Sequence, residues 1–561
     1  MKKNKLIYIL GVAIVLFMAS CTDTLTEEPD SYYEKKNYFV SVSNAQMAVT
    51  GILDVLAKQE HYGQYEMAMP SSDDTYYING TNSDNTRRDI SHYTIRPENQ
   101  WIYQIWMYKY QGVDRANFAI DGIMSMADYE TSKQLQELVA QARFLRALLA
   151  FDLVKYWGDV PFKTEYSTSY QDGQHPRRDR EEIYDIIVDD LNFAKENMPW
   201  ATASSSPERP TQGAARALLM RVLLQRAGYS LKMDGTITRP DDAKRVQYFD
   251  AVVKEWEAFK SNGYHGFYNG YVNLFKSFSG CILDSKESIF EIAFYNPSGS
   301  KEDSGVWGTW NGPAVDAPGA NANFMGRANA FFRVVPEWKG FFEDQDERRD
   351  VMVCTYKYAW DKTLYNHVKK EEKNSKNWYP GKWRREWMAL GYKDPNNTDV
   401  NYSFLRYADV VLMAAEAYNE LNQTSTAWSL LNSVRERSGA TAITIGNYAT
   451  LMKAPKVYNL SYIDDSSDAG KFRTALYWER AFELAFEGQR KYDLIRWGII
   501  KEALTKFRSE IKNPDIYDVE NNVDLYPAGK NFTSGKHELF PIPLDEIQLN
   551  RALEGKNNPK Y

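Results

Sequence analysis

The sequence predicts a mostly α fold, in which tetratricopeptide-like helix pairs stack as a scaffold and long irregular loops form a ligand face. Three observations carry this expectation. Apolar residues recur at steps of three and four over long windows, the spacing of one helix face. Two pairs of such windows resemble helix-pair repeats, degenerate and irregularly spaced, one of them joined by a short turn. Between them run Gly-, Asn- and aromatic-rich stretches with neither helical nor strand period, too long to be simple connectors.

The helices follow in order. Leu135, Leu138, Val139, Ala142, Leu145, Leu149, Leu153 and Tyr156 form one stripe, which Gly158 and Pro161 terminate. Glu181 to Asn197 repeats the period through Ile183, Ile187, Leu191 and Ala194. Gly213 to Ala227 is apolar on almost every side except for three arginines, which marks a buried helix; Val246 to Phe259 is its expected partner. Phe404 to Leu421 is rich in alanine, which lets helices approach closely, and Thr426 to Arg437 is expected to pair with it. Two regions break the rhythm, Pro70 to Asn99 and Asn296 to Pro336, and Lys369 to Pro395 is a third, more basic excursion. Phe540-Pro-Ile-Pro543 reads as a strand-like or polyproline segment packed on the body.

Composition narrows the function. The chain has 561 residues, 43% hydrophobic and 25% charged, which excludes a disordered chain, a collagen and a polytopic membrane protein. A net charge of −7 argues against a nucleic-acid binder, which needs basic surface to neutralise phosphates. Aromatic residues reach 14%, so some rings are expected at a surface that binds something.

Residues 1–20 read as a leader. Lys2, Lys3 and Lys5 precede an apolar run from Leu6 to Met18, and Ala19, Ser20 and Cys21 follow. Thirteen helical residues reach roughly 20 Å, too short for a hydrocarbon core of about 30 Å. Small residues before Cys21 resemble a bacterial lipobox, which implies a lipidated cysteine at the start of the mature chain, although Met18 stands where Leu is usual. The polar stretch from Thr22 to Pro29 then reads as a tether. With Cys21 lipidated, Cys281 and Cys354 remain as a pair or as two thiols. No metal-ligand spacing is present, and no cofactor is expected.

Several ordered segments carry a family resemblance. They are Gln141 to Pro161 (QARFLRALLAFDLVKYWGDVP), Arg209 to Leu219 (RPTQGAARALL), Leu405 to Asn419 (LRYADVVLMAAEAYN), Leu431 to Arg437, Glu479 to Gly498 (ERAFELAFEGQRKYDLIRWG), and Phe540 to Ile547 followed by Asn557 to Pro559. Together they resemble the SusD/RagB family of outer-membrane lipoproteins in Bacteroidetes. The resemblance implies a surface protein that captures a nutrient, most often a glycan, and passes it to a SusC-like TonB-dependent transporter. It implies no nucleic-acid partner and no catalysis. The domain organisation expected is a leader at 1–20, an N-terminal SusD-like region at 21–230 and a C-terminal RagB/SusD region at 231–561, in one body.

Most of the signature residues are not a site. Glu479, Arg480, Glu483, Glu487, Arg490, Asp493 and Arg496 are spaced as ion pairs that fix helices together, as are Arg406, Asp409 and Glu416. Trp106, Tyr110 and Asn117 also read as scaffold. Glycan capture needs flat aromatic faces for sugar C–H surfaces, with Asn, Asp and Arg beside them for hydroxyls. The irregular regions supply both. The ligand-binding residues expected are Trp307, Trp310 and Asn311 from the second, and Asp73, Asp74, Tyr77, Arg88 and Trp101 from the first. Asn79, Asn82, Asn296, Asn321 and Asn323 are further polar candidates. Tyr76 and Tyr77 would face opposite ways on an extended strand. The alternative for the two tryptophans is that they plug a loop onto the helices. The basic and aromatic run from Lys369 to Arg385 suits a carboxylated or sulfated glycan, a surface hairpin facing the transporter, or a solvated basic loop.

Competing readings are a peptide ligand in the same uptake role, a secreted glycan hydrolase, and an adhesive surface protein. No G-x-S-x-G, H-E-x-x-H or P-loop pattern supports hydrolysis, and no pair of acids stands out as the two carboxylates a glycosidase requires.

Overall fold

A computed structural model describes residues 35–77, 83–295, 302–316, 325–389, 396–452, 466–510, 517–518, 523–524 and 526–561. The leader, Cys21, the tether, Asn79, Asn82, Asn296, Asn321 and Asn323 lie outside the described residues.

The chain folds as stacked antiparallel helices: α1 (Val42–Ala57), α2 (Gln100–Met124), α3 (Lys133–Trp157), α4 (Arg180–Asn197), α5 (Gln212–Ala227), α6 (Asp242–Asn262), α7 (Tyr407–Glu420), α8 (Thr424–Arg437), α9 (Asp468–Leu484), α10 (Arg490–Arg496), α11 (Ile500–Glu510) and α12 (Leu544–Leu549). From α1 to α8 each helix packs on the next, and α9 closes against α7 and α8. The expected pairs, α5 with α6 and α7 with α8, are both formed.

Local chemistry sets the boundaries. Ser132, Asp179, Asp241 and Ser467 cap α3, α4, α6 and α9 by accepting a backbone N–H of the first turn. The α3 stripe ends at Gly158, whose φ of 75° favours a residue without Cβ. The three arginines of the otherwise apolar α5 each reach a different neighbour: Arg216 pairs with Glu255 on α6, Arg221 with Asp409 on α7 at 2.7 Å, and Arg226 with Glu181 on α4 at 2.9 Å. They staple the stack where a leucine would merely fill it.

One boundary differs from the sequence reading. Phe404, Leu405 and Arg406 belong not to a helix but to β6 (Tyr402–Arg406), paired antiparallel with β2 (Ser288–Ile292). Both strands are wholly buried, so the apolar run extends through them without a change in composition. The remaining sheets are small. β1 (Thr75–Tyr77) pairs with β3 (Phe332–Val334), bringing the two irregular regions together, and β4 (Tyr356–Asp361) forms a hairpin with β5 (Asn366–Glu371).

A buried ion-pair frame holds the C-terminal half. Arg406, 1% exposed, contacts Glu287 at 2.8 Å, Glu483 at 3.1 Å and Glu487 at 2.7 Å. Glu479 bridges Arg348 and Arg435, and Arg480 joins Asp409 to Asp493. The spaced charges of the signature are thus structural.

Burial alone would raise the Glu483 carboxyl, but Arg437, Arg406 and Arg348 hold it down at about 2. Asp409 is likewise held at about 2 by Arg480 and Arg221 against its burial. A carboxyl depressed in the folded state contributes stability above its unfolded pKa, and this is lost as pH falls through the folded value. Stability should therefore fall between about pH 4.5 and 2. Glu483→Gln should lose about 3–5 kcal/mol at pH 7 in urea unfolding and show a shallower acid limb. Parallel acid limbs for the two proteins would contradict this assignment.

Candidate functional site

Four aromatic rings from four stretches of chain meet around one guanidinium, and a fifth stacks behind one of them. The Arg87 guanidinium carbon lies 4.6 Å from the ring centre of Phe331, 4.9 Å from Trp310, 5.4 Å from Tyr77 and 5.6 Å from Trp101. Tyr65 stacks on Trp101 with centroids 4.0 Å apart and planes within 6°. Trp310 lies near-parallel to Trp101 at 6.2 Å and meets Phe331 edge-on at 4.6 Å.

Each member is placed by its own backbone. Asn99 caps α2 by accepting the N–H groups of Trp101 and Ile102, and its amide donates to the carbonyl of Thr86 at 3.0 Å. That one side chain brings Arg87 over the start of α2. Asp84 accepts the N–H groups of Thr86 and Arg88, fixing the short turn that carries both arginines. Trp310 is carried by a turn in which Gly308, at φ 78°, passes so close to Trp383 and Met388 that a Cβ would lie 2.5 Å from the Met388 Cε. The N–H groups of Ala330 and Phe332 donate to the carbonyls of Thr309 and Trp310, which ties this turn to the entry of β3.

The eight expected ligand residues divide into two sets. Tyr77, Trp101 and Trp310 are brought together at Arg87, with the Arg88 guanidinium carbon 5.8 Å from the Tyr77 ring centre. Asp73, Asp74, Trp307 and Asn311 are not at this surface. Asp73, 1% exposed, holds Arg490 through two bonds of 2.8 and 2.9 Å. Asp74 accepts the N–H of Phe486; its burial and the neighbouring Asp73 push its carboxyl up to about 6. Trp307 stacks on Tyr402 at 4.3 Å and donates to the carbonyl of Tyr62, so it plugs its loop onto the core. Asn311 accepts the N–H of Gly308 within the same turn and is buried. None of the four lies at the Arg87 cluster; Asp74, Trp307 and Asn311 instead line a small separate pocket with Phe332, Phe486 and Arg490. Trp310 is 7% exposed and Trp101 4%, so both back the surface more than they form it.

The accessible part consists of three half-buried side chains, Arg87, Tyr65 and Phe331. Tyr65 and Phe331 were not among the expected residues. Phe331 had a legible signal: it precedes Phe332, and adjacent residues at a strand entry face opposite sides. Tyr65 had none. Tyr76 and Tyr77 do turn opposite ways, Tyr76 to the carbonyl of Lys376 and Tyr77 to Arg87.

The basic excursion also divides. Lys369 and Lys370 are exposed on the β4–β5 hairpin, whereas Lys382, Trp383, Arg384 and Arg385 are buried, Lys382 against Glu487 at 2.5 Å. It is therefore neither one continuous binding surface nor one solvated loop. Cys354 is a buried free thiol. A separate cleft of about 400 Å³ opens between α2, the 161–175 segment and α12, lined by Trp106, Tyr110, Phe162 and Glu546. Its carboxyl already accepts the Trp106 indole N–H and the Asn550 amide, and none of the expected ligand residues lines it.

Comparison with known proteins places this architecture. A family model described as "SusD family" matches residues 286–561, and one described as "Starch-binding associating with outer membrane" matches 24–224. SusD-like protein P25 of Formosa agariphila is 25% identical, over 97% of each chain. The solved structure of a SusD homolog from Bacteroides thetaiotaomicron is 27% identical with a TM-score of 0.78, covering 94% of this chain and 98% of that one. Surface glycan-binding protein A from the same species, solved in complex with laminarihexaose, shares the fold at 19% identity and a TM-score of 0.66, covering 92% and 99%. With matching models over most of its length, the same helix-pair stack and the signature charges locked in one buried frame, the chain belongs to the SusD/RagB family.

Proposed function

We propose that this protein is a non-catalytic surface lipoprotein that captures a glycan at the Arg87 cluster and delivers it to a SusC-like TonB-dependent transporter. The observation that carries the reading is the cluster itself. Tyr65 and Phe331 offer aromatic surface, Arg87 offers fixed donors beside them, and Trp101 and Trp310 hold all three in place from behind. A flat apolar face next to a directional donor is what a pyranose ring with its hydroxyls requires. The similar fold solved with laminarihexaose supports the ligand class. The signature carboxylates support a binding role, since Glu479, Glu483, Glu487 and Asp493 are all engaged by arginines or lysines. The lipid on Cys21 and the tether after it would hold the body at the outer membrane.

Two experiments test this reading. On a polysaccharide and peptide array followed by calorimetric titration, the protein should bind at least one glycan. Phe331→Ala and Trp101→Ala should each weaken that binding by roughly 1–3 kcal/mol, the order of a lost aromatic contact at a binding hot spot, with helical content retained. Asp73→Asn should lower thermal stability and leave affinity unchanged. Capture of peptides with no glycan bound would replace the ligand, and unaltered isotherms would move the site. In cells, Cys21→Ala should release a folded protein from the outer membrane, and undiminished membrane retention would contradict the anchor.

A further inference from the structure

Arg87 differs from the arginines that hold the body together. Arg490 is fixed by Asp73, Arg406 by Glu287, Glu483 and Glu487, and Arg480 by Asp409 and Asp493. Arg87 is fixed by rings. Four aromatic centroids lie within 5.6 Å of its guanidinium carbon, and its Nε donates to the Tyr77 hydroxyl. Among the described residues no carboxylate stands within ion-pair distance of it. The nearby Asp84 turns its carboxylate to the backbone N–H groups of Thr86 and Arg88. The cluster thus holds a half-buried, planar cation whose two terminal nitrogens meet no carboxylate among the described residues.

Rings attract a guanidinium through their faces and orient it without neutralising it. A carboxylate partner would have oriented it equally well and cancelled its charge. A fixed guanidinium with its terminal N–H pair free is the geometry that receives two anionic oxygens side by side, which an ammonium group cannot reproduce. The Arg88 guanidinium carbon, 5.8 Å from the Tyr77 ring centre, is a second cation on the same turn.

We propose that the glycan captured at this face carries anionic substituents, uronate carboxylates or sulfate esters, and that Arg87 receives one of them through its terminal nitrogens. This rests on the reading of the cluster as the glycan site and makes it specific. Carboxylate and sulfate present the same pair of anionic oxygens, and the experiment separates them.

The test uses the full chain in detergent and matched pairs of probes: homogalacturonan with its methyl ester, alginate with its carboxyl-reduced form, and carrageenan with its desulfated galactan, with laminarin as a neutral control. The acidic member of at least one pair should bind ~10-fold or more tightly than its neutralised partner, and this preference should shrink as sodium chloride rises from about 50 to 500 mM. A preference confined to carrageenan assigns a sulfate, and one confined to the uronans assigns a carboxylate. Arg87→Gln should erase the preference. Arg87→Lys, which keeps the charge but not the fork, should restore it only in part. Unfolding curves for both variants establish that they fold. Equal binding of acidic and neutralised members, unchanged by Arg87→Gln, would overturn the anionic assignment and leave the glycan site standing. Absence of binding to every probe would overturn the glycan reading, and this inference with it.

Discussion

Everything in the C-terminal half depends on where Arg406 can put its charge. Arg406, the last residue of β6, is 1% exposed and meets Glu287, Glu483 and Glu487. Two of these acids belong to the end of α9 and the turn after it, and the third precedes β2. The same acids engage Arg437, Arg348 and Lys382. A buried charge left without its partner is far more costly than an exposed one. Strand, helix and turn are therefore locked into a single arrangement, which apolar packing alone would specify less sharply.

That frame reaches the surface through one further pair. Arg490, on α10, extends to Asp73, and the carbonyl of Asp73 accepts the Trp338 indole N–H. The stretch leading into β1 is thereby fixed against α10, so Tyr77 enters the cluster from a rigid base. Asn99 does the same from the other side by joining the Thr86 carbonyl to the first turn of α2. The rings around Arg87 thus come from the first turn of α2, from β1 and from turns, and all are held by the scaffold. A preorganised surface loses less entropy when a flexible saccharide binds, and more of the contact energy appears as affinity.

Much of the scaffold was legible in the sequence because its signal is local. The α3 stripe, its stop at Gly158 and the apolar α5 with its three arginines each declare themselves within a few turns. The site was less legible because its determinants are distant. Asp73 and Asp74 look like solvated loop acids, but Arg490 is 417 positions away from Asp73. Trp307 and Trp310 stand three apart in one Gly-flanked turn with the same composition around them. Both rings are buried, and only their partners separate them: Trp307 stacks on Tyr402 and donates to the Tyr62 carbonyl, whereas Trp310 packs on Phe331 and Arg87. Tyr65 becomes notable only when Trp101 is found against it.

The most direct test of this account is hydrogen–deuterium exchange on the protein with and without a saturating oligosaccharide chosen by the array. The account predicts slowed exchange around Gln64 to Glu66, Asn85 to Arg88, Trp101 to Gln104 and Ala330 to Phe332, with no change along the cleft lined by Trp106, Tyr110, Phe162 and Glu546. Protection along that cleft, with the Arg87 cluster unaffected, would contradict it.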